Sequence, residues 1–207
     1  MWNFKTKNFE KEISLFLIVS LILMLFSGCK KTSISVGDNI VVGSYKEENV
    51  EWIVLSIEED KMLVVSKYVL DSYLFDTKGT TNWNKSKLHD WINDDFYNEA
   101  FSDEDKARIV ATDFGDGYTD YLSLLSAEET NTLFESNEDR QGIPTAYVIT
   151  SSMIPYSHDG HCHYWLRDVS ADGKNAYLMG WQGVVEDQTQ ALSSWYGIRP
   201  IMWIKLE

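Results

Sequence analysis

Three patterns of apolar residues follow one another along this chain, and each predicts a different kind of segment. Ile13–Phe26 is a continuous apolar run interrupted only by two serines. It is too short to cross a bilayer comfortably. From Val36 to Lys67 the pattern becomes that of short β-strands: Ile40–Tyr45, Trp52–Ile57 and Met62–Ser66. The polar stretch Glu58–Lys61 joins the last two as a hairpin, and Tyr68–Leu70 continues or closes the second run. The period then changes to helical, with Leu88, Trp91, Ile92 and Phe96 on one face and Asn82 or Asn84 as the start signal. Ser102–Asp105 opens a second helix with acids in its first turn, and Ala107, Ile109 and Val110 supply its apolar side.

Tyr121–Leu125 reads as a strand, and Ser126–Glu129 is a capping box that starts a short helix ending near Phe134. Glu135–Gly142 is polar and loop-like, while Thr145–Ser151 fits helix and strand equally. After Pro155 a loop rich in Tyr, His and Gly leads to Tyr164–Arg167. Ala176–Met179, Gly183–Val185 and Gly197–Ile204 follow as short strands between Gly and Asp turns. Strands first, helices in the middle and strands last predict an α+β fold, with short antiparallel strands, two or three central helices and long loops.

The N-terminal run acquires a meaning from its flanks. Lys5, Lys7 and Lys11 precede it, and the small residues Ser27 and Gly28 follow it, directly before Cys29. This is the layout of a secretory signal. Leu25–Cys29 resembles the lipobox of bacterial lipoproteins, with Phe26 where Leu is usual. The expected organisation is a signal peptide over 1–28, a lipidated Cys29 with a tether over 29–36, and a single domain over 37–207. An uncleaved anchor helix is the alternative, and under both readings the domain faces out of the cytoplasm, held at the cell membrane. Removing residues 1–28 takes three Lys and two Glu from 18 basic and 32 acidic residues, leaving a formal charge of −15. Such a surface repels phosphate backbones and argues against nucleic acid as a partner. With Cys29 lipidated, Cys162 is the only thiol left, so an intrachain disulfide is excluded. Packing of the many aromatic residues must hold the domain.

Six blocks in order carry a family resemblance: Trp52–Leu55, Ser66–Leu70, Leu88–Ser102, Leu124–Glu129, Tyr164–Arg167 and Gly197–Ile204. They resemble the bacterial domain-of-unknown-function family 6273 over residues 37–207. More distantly, that family is similar to the C-type-lectin-like fold of sulfatase-modifying (formylglycine-generating) proteins. The resemblance implies a fold whose first and last strands meet and whose long loops carry ligand sites. Two departures bear on activity. Asp168-Val169-Ser170 stands where many members have Ser-Pro-Gly, and the paired cysteines that formylglycine generation requires are missing.

Candidate chemistry lies mostly in the second half. Ser157–His163 gathers His158, His161 and His163 around Cys162, and imidazole and thiolate are ligands for zinc or copper. On a strand His161 and His163 point the same way and could share a metal, with Cys162 facing the core. The other reading is a loop leading into a buried strand, with Cys162 as a small hydrophobe. Asp113, Asp116 and Asp120 sit among glycines in a manner that suits calcium, without the EF-hand spacing. Arg167 and Arg199 lie beside aromatic residues and suit either a sugar or carboxylate ligand or an internal role organising carbonyls. Trp181, Trp195 and Tyr196 fall in Gly- and Ser-rich turns and suit an exposed aromatic platform. No nucleophile elbow, zinc-protease motif or phosphate loop is present.

The leading expectation is a lipid-anchored cell-surface domain that binds a glycan or peptide through Arg167, Trp181, Trp195 and Tyr196, with no catalysis. Alternatives are a metal-binding lipoprotein using His158, His161 and His163, and an envelope enzyme related to the formylglycine generators. Intact-mass analysis after expression in a bacterium is expected to show a chain that begins at an acylated Cys29. A chain retaining Met1 and free in the cytosol contradicts it.

Overall fold

Short apolar runs, rich in β-branched residues, set up the first three strands. The structure, a computed structural model, describes residues 33–77, 82–115, 117–151, 157–171, 173–187 and 195–206. Cys29 and its signal segment lie outside the described residues, as do the side chains of Ser157 and His158. Ser35–Glu207 forms one compact unit. Strands β1 (Asn39–Tyr45), β2 (Glu48–Glu58) and β3 (Lys61–Ser66) make an antiparallel meander. In β2, Val50, Trp52 and Val54 are buried in alternation until the register shifts between Val54 and Ser56. That bulge also turns Leu55 inward, so two successive residues are buried. Glu58 pairs with Lys61, so the second hairpin closes through two residues rather than the four polar ones that the sequence suggests.

Strand β4 (Asp71–Leu74), unmarked in the sequence by any apolar run, follows Lys67–Leu70. The helical middle is more finely divided than two or three helices. A 3-10 turn (Trp83–Lys85) leads into α1 (Lys87–Trp91), a π turn (Ile92–Phe96) and α2 (Tyr97–Ala100). Leu88, Ile92 and Phe96 are buried, as their spacing predicts. The cap is Ser86, whose hydroxyl accepts from His89 N at 3.1 Å, and not Asn82 or Asn84. Helix α3 (Asp103–Arg108) starts at Ser102 with acids in its first turn, as expected, and Ser102 and Asp105 form a capping box there, but the helix stops at Arg108. Ile109 and Val110 form β5 instead, pairing with Ile204 and Trp203, because a β-branched pair beside an open strand gains ladder bonds that a helix end lacks.

Strands β6 (Thr112–Asp113) and β7 (Thr119–Asp120) form a small hairpin, and β8 (Ser123–Leu124) follows. Capping boxes at Ser126 and Ser136 then start α4 (Ala127–Leu133) and α5 (Asn137–Arg140), the latter where a loop was expected. Thr145–Ser151 resolves as helix α6 (Ala146–Ser151). Next come β9 (Ser157–His158), β10 (His161–Cys162), β11 (Tyr164–Val169), β12 (Ala176–Met179) and β13 (Val185–Glu186). The apolar run Gly197–Ile204 splits into β14 (Trp195–Ile198) and β15 (Pro200–Lys205) around Arg199.

Two main sheets result. One has the order β1-β2-β3-β15-β5, with β8 also on β15, and is antiparallel throughout. The other has the order β13-β12-β11-β14-β4, in which only β11 and β14 run parallel. The fold is therefore α+β with mostly antiparallel strands. The last strand pairs with β3, β5 and β8, not with the first strand as the lectin-like resemblance implies. Among the described residues no helix is long and apolar enough to cross a membrane.

The first strand reaches the helical run through Gly43, which has φ +76°. A Cβ there would lie 2.6 Å from the Ala100 carbonyl oxygen and 2.9 Å from the Phe101 ring. Gly37 has φ +90° but nothing within 4 Å of its ideal Cβ. Denaturant unfolding is expected to show Gly37→Ala costing about 1 kcal/mol from backbone strain alone, and Gly43→Ala costing about 2–3 kcal/mol because the steric clash adds to it.

Candidate functional site

Most residues that look chemical in the sequence serve the fold. The Arg167 guanidinium is gripped by both oxygens of Glu129 and by two carbonyls, those of Leu124 and Phe114, each at 2.7 Å. Glu129 is itself the third residue of α4 and accepts from Ser126 N at 2.8 Å, so the pair ties β11 to a helix start. Asp168 does not join that pair; its carboxylate accepts from Ala127 N at 2.7 Å. Burial holds the Asp168 pKa above its ordinary value, against the pull of that bond and of Arg167. Arg167 is an internal clamp with its hydrogen-bonding atoms directed at protein groups.

The expected aromatic platform is also partly packed away. Trp195 and Tyr196 lie in β14 rather than in a turn. Trp195 packs against Tyr73 at 5.5 Å, and Tyr73 stacks on Trp91 at 5.1 Å. Tyr196 meets Trp165 edge-on at 4.9 Å. Trp181 occupies a turn and is half-buried.

The histidine-rich loop is a two-residue hairpin in which His161 faces His158 along the backbone. Cys162 is buried, as alternation predicts, and burial pushes its thiol pKa up to about 12 despite the opposing charge of Arg199. A thiol so desolvated is a packing group and a poor nucleophile. His163 Nε2 lies 3.4 Å from Glu186 Oε1. Among the described residues no three His, Cys, Asp or Glu side chains converge as a metal would require. The third imidazole of the proposed zinc or copper set, on His158, lies outside the described side chains.

The acidic loop is similarly committed. Asp113 Oδ1 accepts from Gly115 N at 2.8 Å and from Gly117 N at 3.0 Å, which folds the loop onto its own carboxylate. Asp116 lies outside the described residues. Asp120 Oδ2 is 2.9 Å from His89 Nε2, and Asn93 braces the same junction by bonding both the N–H and the carbonyl of Leu122. This leaves little of the calcium chemistry that the sequence suggests.

A cleft that sequence reasoning missed lies elsewhere, between the β1–β2 hairpin, the Tyr68–Leu70 segment and the start of α6. It is a small hollow of about 80 Å³ that opens to solvent and is lined by Tyr45, Tyr68 and Tyr147 with Lys46, Glu48, Asn49, Val50, Glu51, Leu70 and Thr145. Backbone bonds set its walls, with Val69 N donating to Ile143 O at 2.8 Å and Thr145 N to Val69 O at 3.1 Å. The Tyr45 hydroxyl donates to Asp71, and burial raises the pKa of both groups. Tyr45 and Tyr147 meet edge-on at 6.4 Å. Glu51 is held by Lys67 at 2.8 Å, whereas Glu48 has no ion pair among the described residues. The two half-buried rings of Tyr68 and Tyr147, beside a free carboxylate and an amide, can stack on an apolar face and hydrogen-bond its polar edge. The one signal in the sequence was the polar stretch Lys46–Asn49, which interrupts two strands without a glycine.

The family model for the domain of unknown function DUF6273 matches residues 59–206. The chain belongs to that family. No curated protein and no solved structure matches it. The matched span includes Tyr68 and Tyr147 but begins after the β1–β2 hairpin that supplies the cleft's other wall.

The His89–Asp120 pair yields a pH dependence. Burial lowers the His89 pKa, but Asp120 and then Asp90 outweigh it, so the net shift is upward from 6.5. Proton uptake therefore favours the folded state, and the contribution is complete below about pH 6.5 and fades as the pH rises through the raised folded value. His89→Gln is expected to cost roughly 1–2 kcal/mol at pH 5 by urea unfolding, a deficit that shrinks steadily toward pH 9. A pH-independent deficit would contradict this.

Proposed function

We propose that this chain is a lipid-anchored cell-surface protein whose domain binds a glycan or peptide in the tyrosine-lined cleft and performs no chemistry of its own. The lipid attachment rests on the Leu25–Cys29 segment. The binding reading is carried by one observation, the grouping of Tyr45, Tyr68 and Tyr147 with Glu48 and Asn49 around an open cleft. Tyr68 and Tyr147 are only half-buried, so their rings have area left for a ligand. The Arg167, Trp195 and Tyr196 surface recedes in this reading, because those groups already bind protein atoms. A distant C-type-lectin-like kinship belongs to the proposal, with a last strand that pairs with β3 rather than with β1.

Glycan and peptide arrays probed with the chain are expected to return ligands. Tyr68→Ala and Tyr147→Ala should each weaken them about tenfold, the loss of one stacking face, with the thermal midpoint little changed. Arrays without signal above background would sink the reading.

A further inference from the structure

The mouth of the cleft already holds a cation. Lys46 Nζ lies 4.5 Å from the centre of the Tyr45 ring, 5.7 Å from that of Tyr147 and 2.7 Å from Glu99 Oε1. Two π faces and a carboxylate around one ammonium form the arrangement by which proteins bind amine ligands. The hydrogen bond that Lys46 donates to Glu99 is the first reason that the Lys46 pKa lies above its ordinary value, and the charge of Asp71 adds to it.

The backbone beneath this lysine is costly. Tyr45 pairs with Glu48, so Lys46 and Glu47 are the whole turn, with φ of 49° and 68°. Two-residue turns with both residues left-handed favour Asn and Gly, and neither residue is present here. A side chain is thus held at 46 where the backbone alone would be better served by glycine. Beside it, Glu48 offers a carboxylate with no ion pair among the described residues, on a surface whose acidic excess concentrates cations.

We infer that the cleft selects ligands bearing a primary ammonium group, and that Lys46 occupies that group's place until the ligand displaces it. This inference rests on the binding function proposed above and names its ligand chemistry. An amine of this kind comes from a lysine side chain of a peptide or from a de-N-acetylated amino sugar. Because an arriving amine must first dislodge Lys46, the apparent affinity is reduced by the fraction of molecules in which the lysine is in place.

Calorimetry on the full chain in neutral detergent at low salt tests this with four probes: tetralysine, its N-acetylated form, a glucosamine tetrasaccharide and its N-acetylated form. At least one amine probe should bind, its acetylated counterpart should bind at least tenfold more weakly, and the amine probe that binds identifies the source. Lys46→Ala and Lys46→Gln should each tighten that probe several-fold by vacating the site, and Glu99→Gln should weaken it. Equal binding of free and acetylated forms would overturn the inference, as would no binding of either amine at millimolar concentration, or unchanged or weaker binding in both Lys46 variants. An acetylated probe that binds and is lost in Tyr147→Ala leaves the cleft a binding site and removes only the ammonium. Arrays without any ligand remove the binding function itself.

Discussion

The structure depends on one guanidinium buried without a carboxylate. The chain steps directly from a strand of one main sheet to a strand of the other at Lys67–Leu70 and again at Arg199, and Arg199 fastens these two short crossings together. Its Nε donates to Ser66 O at 2.9 Å, and its Nη1 lies 3.3 Å from both Arg140 O and the Tyr164 hydroxyl. The Phe134 and Tyr164 rings face it at 5.5 Å. Among the described residues no acid pairs with it, so carbonyl dipoles and ring faces must offset the desolvation of a side chain that is only 2% exposed. Leu70 N bonds Ile198 O at 3.0 Å alongside, which keeps the crossings in register. The cleft inherits its shape from this joint, because Tyr68 and Leu70 belong to the first crossing and α6 hangs from Val69.

Much of the fold was legible because local chemistry and tertiary context agree. Ser102 and Ser126 cap the helices that their acids announce, and Leu88, Ile92 and Phe96 face inward at helical spacing. The differences arise where distant partners decide. Ile109 and Val110 have apolar side chains that suit a helix face, but β15 offers them ladder bonds. Asp71–Leu74 has no strand signature of its own, and its pairing with Trp195–Ile198 makes it one. Gly197–Ile204 reads as one apolar run, yet its two halves belong to different sheets, with a charged residue at the split.

The candidate site was far less legible, for a related reason. Residue types with conspicuous chemistry are the ones that a domain lacking an intrachain disulfide uses to brace its loops. Arg167 is held by Glu129, Asp113 by its own turn and Asp120 by His89. The cleft is made from tyrosines and common polar residues drawn from three separate stretches around 45–51, 68–70 and 145–147. None of these stretches is unusual alone, and only the backbone bonds from Val69 to Ile143 and Thr145 bring the last two together.

The position of β15 has a temporal consequence. This interior strand of the larger sheet is synthesised after the other described strands, and it lies between β3 and β5, whose residues precede it by about a hundred positions or more. Until Pro200–Lys205 is available, the meander has no neighbour on that edge, and β5 and β8 have nothing to join. Such long-range closure delays completion of the sheet until β15 has been made.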